Sequence, residues 1–177
     1  MLLLEGWFLI VCMYLLTRFG EHRVHRINYD FLIFAGGEEI LLPRMKYLYA
    51  LGFAVIPAAL IEYIFLSFPY AHHAPLQLMG LSLLFVSLLL RYWTIQTLGA
   101  RWSMRCIFVN GYPKSQQGPY RWLRHPEYLA RAFDIMGISI YLGSFYSLFI
   151  CIIVHLALSR NIAFWELFQV KRMSQNA

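Results

Sequence analysis

Charged residues and cysteines are scarce in this chain. Asp, Glu, Lys and Arg make up only 14% of its 177 residues, whereas 60% are hydrophobic, which is too apolar a balance for an ordinary soluble domain. The three cysteines lie far apart without a C-x-x-C pair, so neither a disulfide framework nor a zinc site is supported. We expect Cys12, Cys106 and Cys151 to be packing residues.

Several catalytic motifs are missing as well. The sequence has no G-x-S-x-G, P-loop or G-x-G-x-x-G pattern, which argues against serine hydrolysis, Walker-type phosphoryl transfer and a Rossmann cofactor site. His22 and His25 lack the H-E-x-x-H context of a zinc helix, so no metal site is predicted. The net charge of +6 requires no nucleic-acid partner, because basic rims facing anionic headgroups are usual in membrane proteins.

Apolar runs are what the chain has in abundance. A membrane-spanning helix takes about 20 residues, and five runs reach or approach that length, the first and fourth being short. The chain is therefore predicted to be one all-α integral membrane domain over residues 1–177, whose first helix is retained and not a cleaved signal peptide. The five predicted spans are Leu2 to Leu16, Tyr47 to Phe68, Leu76 to Leu98, Tyr128 to Leu142 and Phe145 to Phe164.

Basic residues predict the orientation of these spans. Lys and Arg are concentrated after the first and third runs and in the C-terminal tail, whereas the second and fourth connections have none. Because basic loops are retained in the cytoplasm, the N-terminus is predicted outside and the C-terminus in the cytoplasm. The fourth connection is a short turn around Gly143 and Ser144, so the last two helices should form a tight antiparallel hairpin.

Two connections are too polar to be simple turns. The segment 31–45 places two glycines and two glutamates between apolar residues, which favours an interfacial or re-entrant piece on the cytoplasmic side. Residues 99–127 contain arginines, aromatic residues and turn formers. Loops of that length in a compact protein are usually functional.

Ionisable residues inside the predicted spans are functional candidates because charge in hydrocarbon is costly. Arg91 either snorkels to the interface or points into a cavity and binds an anion. Arg131 and Asp134 share a helix face, so they are expected either to neutralise one another as a structural ion pair or to contact a ligand directly. Glu62 is expected to hydrogen-bond another helix, and His155 to be a helix-packing histidine.

The stretch Gly118 to Tyr128, GPYRWLRHPEY, is an unusually polar segment at the mouth of the last two spans. In an antiparallel hairpin, Glu166 would face the same rim as His125. Aromatic faces, which attract cations and stack on purines, accompany these groups. The residues alone therefore predict a membrane pocket for a polar ligand and a lipophilic one. The aromatic residues are Trp93, Trp102, Tyr120, Trp122 and Tyr128.

The pattern G-P-Y-R-x-x-R-H-P-x-Y-L, followed by an apolar hairpin ending in a glutamate, resembles the isoprenylcysteine carboxyl methyltransferase family of membrane enzymes. The stretch RYWTIQTLGARWSMR and the GGEE segment are similar to a short bacterial branch of that family. The resemblance implies an S-adenosylmethionine site within about residues 91–170. Asn161 and Trp165 stand where that family usually has arginine and glutamate. The implied cofactor-binding residues are Tyr120, Arg124, His125, Pro126, Tyr128, Asn161 and Glu166.

The resemblance implies methyl transfer to a carboxylate or acidic hydroxyl of a lipophilic substrate at the cytoplasmic membrane face. Arg91, Arg101 and Arg105 are the candidate catalytic residues, because they could orient an anionic acceptor. For a less acidic hydroxyl, His125 or Glu166 could act as the base. The expected partners are a lipophilic or prenylated substrate and membrane lipids, without an obligatory protein partner, in a bacterial inner membrane.

Two alternatives stay open at this point. Sterol reductases have a related C-terminal architecture, so a membrane reductase using NADPH is the competing enzyme class. The departures at Asn161 and Trp165 keep a catalytically inactive, lipid-binding relative in consideration.

Overall fold

The computed structural model describes residues 2–40, 45–66, 74–109 and 115–176, and most of these residues are helical. The predicted all-α class is confirmed. Three of the helices, over Met45–Phe65, Ala74–Arg101 and Phe145–Phe168, are long and apolar enough to cross a membrane. In these residues the α-helices are α1 (Leu2–Phe34), α2 (Met45–Leu66), α3 (Ala74–Leu98), α4 (Pro126–Leu142) and α5 (Phe145–Asn176).

The first helix is twice as long as the predicted span. It continues beyond Leu16 to Phe34, so residues expected in a basic connection are helical. The buried positions recur every three or four residues, which is the spacing of one helix face. In this half Arg18 and Glu21 lie on the buried face, whereas Arg23, Arg26 and Asp30 are exposed. That buried face comprises Tyr14, Arg18, Glu21, His25, Asn28 and Leu32.

Close packing of α3 and α4 depends on two glycines. A Cβ at Gly80 would lie 2.8 Å from the carbonyl oxygen of Gly137, and one at Gly137 would lie 2.7 Å from Cγ of Leu84. Small residues let helix backbones approach in this way. The helix α4 is consequently the most enclosed element, and it ends at Gly143, whose left-handed φ of 68° begins the predicted tight turn into α5.

Residues 41–44 of the predicted interfacial or re-entrant segment lie outside the described residues, and its GGEE part forms a turn followed by a short strand. The FLIF residues before it are the last turn of α1, and Glu38–Glu39 forms a short strand, β1, antiparallel to β2 (Ile107–Phe108). Gly37 allows this pairing, since a Cβ there would lie 2.6 Å from the Leu32 carbonyl oxygen and 2.7 Å from Ile107. The ladder ties the end of α1 to the long connection between α3 and α4.

Four charged side chains form a buried ion cluster between α1, α3 and α4: Arg18, Glu21, Arg91 and Asp134. Glu21 lies 2.7 Å from Arg91 and 3.1 Å from Arg18, while Asp134 contacts Arg91 and lies 3.5 Å from Arg18. Arg91 is only 7% exposed, so it does not snorkel to the interface.

The expected Arg131–Asp134 pair is wrong. Asp134 pairs across helices with the two arginines of the buried ion cluster, and the guanidinium of Arg131 instead lies 4.3 Å from the ring centre of Tyr49. Helix spacing placed the two residues on one face, but the partners on α1 and α3 are closer to the carboxylate.

Two other buried polar residues behave as expected. Glu62 accepts hydrogen bonds from the backbone N–H groups of Tyr146 and Ser147 at 2.9 and 2.6 Å, and so fastens the first turn of α5 to α2. His155 Nε2 lies 2.9 Å from the carbonyl oxygen of Tyr128, which ties α5 to the beginning of α4.

Candidate functional site

A cavity of about 560 Å³ opens where the Gly118–Tyr128 stretch meets the C-terminal part of α5. We call it the first cavity. Its volume falls within the range of small-molecule sites, about 300–1,000 Å³. The lining side chains come from both ends of the last helical hairpin and from the connection before it. They include Ser103, Arg105, Tyr120, Arg121, Trp122, Arg124, His125, Glu127, Tyr128 and Glu166.

The start of α4 positions the central residues of this cavity. Pro126 is the first residue of the helix, where a missing N–H has no cost, and it is buried while its neighbours line the cavity. The His125 ring stacks on Tyr128 with ring centres 5.0 Å apart and planes inclined by 15°. His125 Nδ1 lies 3.9 Å from a carboxylate oxygen of Glu166. The hairpin therefore brings Glu166 and His125 together at the same rim of the cavity, as predicted.

Sequence reasoning missed Glu127, which occupies the variable position of the R-H-P-x-Y pattern. Its carboxylate accepts a hydrogen bond from the indole N–H of Trp102 at 2.8 Å, and burial raises its pKa. An acidic residue in the first turn of a helix is a usual stabilising feature, so the sequence alone gave no reason to assign it to a cavity. Burial also raises the pKa of Tyr120, which keeps this phenol neutral on the cavity wall.

A second cavity, of about 690 Å³, lies on the other side of the same connection. It shares Met45, Arg105 and Cys106 with the first cavity, so the two adjoin. Most of its remaining lining comes from the N-terminal third of the chain. Those further residues are His22, His25, Glu39, Ile40, Lys46, Tyr49 and Met104.

The inner face of α1 holds the segment 99–105 that separates the two cavities. The amide nitrogen of Asn28 donates to the carbonyl oxygens of Gly99 and Trp102 at 3.0 and 2.8 Å. One turn earlier, Nδ1 of His25 accepts the backbone N–H of Met104 at 3.3 Å and lies 3.1 Å from the Ser103 hydroxyl. This function of α1 was missed because the sequence suggested a connection there.

Arg105 stands at the shared wall. Its guanidinium lies 2.9 and 3.0 Å from the two carboxylate oxygens of Glu39, and the Tyr29 hydroxyl donates a hydrogen bond to one of them, Oε2, at 3.0 Å. The Arg105 side chain is 55% exposed, so this pair is accessible from solvent. Exposed pairs contribute little, about 0.2–1 kcal/mol, so the contact with Glu39 holds Arg105 only weakly.

The structure brings most of the predicted site residues together and separates others. Tyr120, Arg124, His125, Tyr128 and Glu166 line the first cavity, and Arg105 lines both.

The other predicted residues lie apart from these walls as the structure describes them. Arg91 belongs to the buried ion cluster, and Arg101 ends a 3₁₀ turn over Gly99–Arg101 with an exposed side chain. Asn161 is exposed on α5, where its amide donates to the Ala157 carbonyl oxygen at 3.2 Å. The helix spacing explains this, because five residues rotate Asn161 away from the face that carries Glu166.

The polar and aromatic side chains of the first cavity can be compared with the groups of S-adenosylmethionine, which the sequence resemblance implies. Glu166 can accept hydrogen bonds from hydroxyl or amino groups, Arg121 and Arg124 can bind a carboxylate, and the faces of Tyr120, Trp122 and Tyr128 suit a purine and a cationic sulfur. The residues present thus fit the group that the sequence resemblance implies.

Comparison with known proteins places this chain in a family. The family model described as phospholipid methyltransferase matches residues 76–173, which is more than half of the chain. The chain belongs to this family, which is part of the isoprenylcysteine carboxyl methyltransferase-like group. The matched region contains nearly all of α3 and α5, the whole of α4 and the connection between α3 and α4, and thus most of the first cavity. The chain is accordingly a membrane protein of a methyltransferase family.

The chain is also similar to Uncharacterized protein YpbQ of Bacillus subtilis (strain 168), with 32% identity over 59 residues. That alignment covers 33% of this chain and 35% of the relative, so the chain spans about a third of the length of the curated relative it matches. No solved structure matches the chain.

Proposed function

We propose that this protein transfers a methyl group from S-adenosylmethionine to a carboxylate or acidic hydroxyl of a lipophilic substrate at the cytoplasmic face of a bacterial inner membrane. The observation that carries the proposal is the convergence of His125, Tyr128 and Glu166 on one cavity within the family-matched region. All 177 residues would act as one domain, in which residues 91–170 approximate the cofactor-binding part.

Bound in the first cavity, S-adenosylmethionine would supply a methyl carbon that the positive sulfur makes electrophilic. When the acceptor oxygen forms its bond to this carbon, the carbon–sulfur bond breaks and its electrons stay on sulfur, so no further reactant is needed. The residues of this chain mainly bind, orient and exclude water, which is proximity catalysis. Glu166 would hold hydroxyl or amino groups, and Arg124 a carboxylate. A carboxylate acceptor needs no base, whereas a hydroxyl can give its proton to His125 or Glu166.

An amine of a phospholipid headgroup is the second candidate acceptor, because the matching family is described as phospholipid methyltransferase. The charges around Arg105 support an oxygen acceptor instead. Arg105 and Lys46 would repel an ammonium group, and Glu39 is already paired with Arg105.

The cytoplasmic position of the site is likewise proposed from the distribution of basic residues. A cysteine introduced at Tyr146, an exposed position beside the Gly143 turn, should react with a membrane-impermeant maleimide added outside intact cells, and one introduced at Glu38 should not. The opposite pattern would reverse the topology.

The direct test of the cofactor is equilibrium binding of radiolabelled S-adenosylmethionine to purified protein in nanodiscs, with NADPH as competitor. We expect saturable binding that NADPH leaves unchanged. His125→Ala and Glu166→Ala should each weaken it by about tenfold or more, since each removes a polar contact at a partly buried site.

The matched control is Glu38→Ala, which removes an exposed carboxylate outside the two cavities and should leave binding within about twofold. Displacement by NADPH would support the reductase alternative. Equal affinity in the wild type and both site variants, with folding verified, would contradict the site assignment. Binding without methyl transfer to any lipophilic acid, phenol or alkylpyrone would support the inactive relative.

A further inference from the structure

The second cavity has no role in the methyl-donor site, yet it shares a wall with it. Met45, Arg105 and Cys106 contribute to both cavities. A ligand in the second cavity would therefore lie next to one in the first. Its lining comes largely from α1, β1 and α2, which lie outside the family-matched residues 76–173. This is where a chain-specific acceptor preference could reside.

The polar groups of the second cavity suit an anion. His22, His25, Lys46 and Arg105 offer positive charge or N–H donors, against the single carboxylate of Glu39. That carboxylate is already paired with Arg105 at the partly exposed shared wall, and an incoming anion can replace it there. These cations would repel an ammonium headgroup, and the one carboxylate that could pair with it, Glu39, is already paired with Arg105.

The remaining lining is apolar, as a lipophilic body requires. Ile40, Met45, Met104, Tyr49 and Cys106 surround the polar groups. Methionine side chains adapt to irregular ligands, and pockets of this composition, with a few placed polar groups, are typical of small-molecule sites.

His25 supplies a directed donor. Because Met104 gives its backbone N–H to Nδ1 of His25, a neutral imidazole must carry its hydrogen on Nε2. Burial, together with Arg105 and His22, lowers the pKa of His25, which favours that neutral form. The hydrogen bond to Met104 fixes the ring orientation, so the Nε2–H group is held in place.

We propose that the second cavity binds the acidic headgroup of the lipophilic acceptor, with the Nε2–H of His25 and the guanidinium of Arg105 as its contacts. This inference rests on the proposed function, because it assigns the acceptor to the compartment beside the methyl donor. The substrate class it selects is an amphiphile with a carboxylate or similarly acidic group, and it excludes amphiphiles with an ammonium head.

Cys106 provides a reporter at the shared wall. Its alkylation by N-ethylmaleimide can be followed by peptide mass spectrometry in the unmodified chain, with Cys12 and Cys151 as internal references. The probes are two amphiphiles with one C16 chain, hexadecanoate and hexadecylammonium, and separately S-adenosylhomocysteine for the first cavity. We expect hexadecanoate to slow alkylation of Cys106 and hexadecylammonium to have no effect.

The decisive variant is His25→Asn. The asparagine amide oxygen can replace Nδ1 as the acceptor for Met104 and retain the loop, but it leaves no donor at the position of Nε2. Protection by hexadecanoate should then weaken by about tenfold, while protection by S-adenosylhomocysteine is unchanged. Arg105→Gln, which leaves the contacts of His25 intact, should also weaken hexadecanoate protection. The matched control is Arg26→Gln, an exposed change on α1 beside His25.

Three results would overturn the inference: equal protection by hexadecylammonium, hexadecanoate protection retained in both His25→Asn and Arg105→Gln, or loss of hexadecanoate protection in Arg26→Gln alone. Failure of the proposed function has a different signature. If S-adenosylhomocysteine neither binds nor protects the wild type while hexadecanoate still does, the methyl-donor assignment fails and the anionic lipid site stands.

Discussion

The buried ion cluster and the charges around the two cavities contain the same residue types in opposite situations. Arg18, Glu21, Arg91 and Asp134 are all buried and paired across three helices. Around the cavities, Arg105 is paired with Glu39 but 55% exposed, and the Glu166 side chain is 31% exposed at 3.9 Å from His125. Charge is costly in a membrane, so burial beside an opposite charge marks a structural cluster, and partial exposure marks groups that can exchange partners.

This contrast changes the role assigned to Arg91. Arg91 is the most conspicuous basic residue within a span, and sequence reasoning made it a candidate for binding an anionic substrate. The structure gives it two carboxylate partners in a site that excludes solvent. Arg105, one of the other two arginines predicted with it, is the one at the wall of both cavities.

The largest effect should follow from breaking the buried ion cluster. Asp134→Ala would leave Arg18 and Arg91 buried with one carboxylate fewer, and removing one partner of a buried ion pair costs about 3–5 kcal/mol. We expect the free energy of unfolding in detergent micelles to fall by that amount, measured by chemical denaturation. Ser87, whose hydroxyl lies 2.6 Å from Asp134, loses a partner too.

The control for that experiment is Asp30→Ala, which removes an exposed carboxylate from α1 and should change stability by less than about 0.5 kcal/mol. If the two variants were equally stable, the distinction between structural and exchangeable charges would not hold. A double-mutant cycle between Arg91 and Asp134 would separate their coupling from the loss of each side chain.

The smallest effect, and the sharper test of the comparison, should come from Glu39→Gln. This change keeps the shape of the side chain but removes the charge that competes for Arg105. Because exposed pairs contribute about 0.2–1 kcal/mol, protection of Cys106 should require about two- to fivefold less hexadecanoate.

Glu38→Gln is the matched control, since Glu38 is exposed in the same strand, and it should have no such effect. Weaker hexadecanoate protection in Glu39→Gln would show that Glu39 supports the ligand and does not compete with it. An equal gain in hexadecanoate protection in both variants would mean that the change in overall charge, and not the contact between Glu39 and Arg105, causes the effect.

Features that depend on local chemistry could be predicted well. Long apolar runs predicted α2, α3 and α5 because a membrane span requires that length and composition. Gly143 predicted the tight hairpin, since a left-handed residue ends a helix at low cost when it is glycine. Once the hairpin is antiparallel, the contact between His125 and Glu166 follows from counting residues along the two helices.

Most of the predictions that failed depended on partners far away in the chain. Residues 17–34 contain many charges and two histidines, which predicted a connection. They continue α1 instead, and the polar groups on its buried face contact Arg91, Asp134 and the 99–105 segment. The pairing of Glu39 with Ile107 and Arg105 joins residues more than sixty positions apart, and no local pattern encodes that.

The sequence by itself thus determined that this is a helical membrane protein with a terminal hairpin and a polar R-H-P-E-Y segment, because hydropathy, turn chemistry and residue order are local properties. Only the tertiary structure decided which charges are structural and which face a cavity, because a charge in an apolar bundle is defined by the groups that surround it. It also decided that the N-terminal helix contributes a wall beside the cavity formed by the R-H-P-E-Y segment.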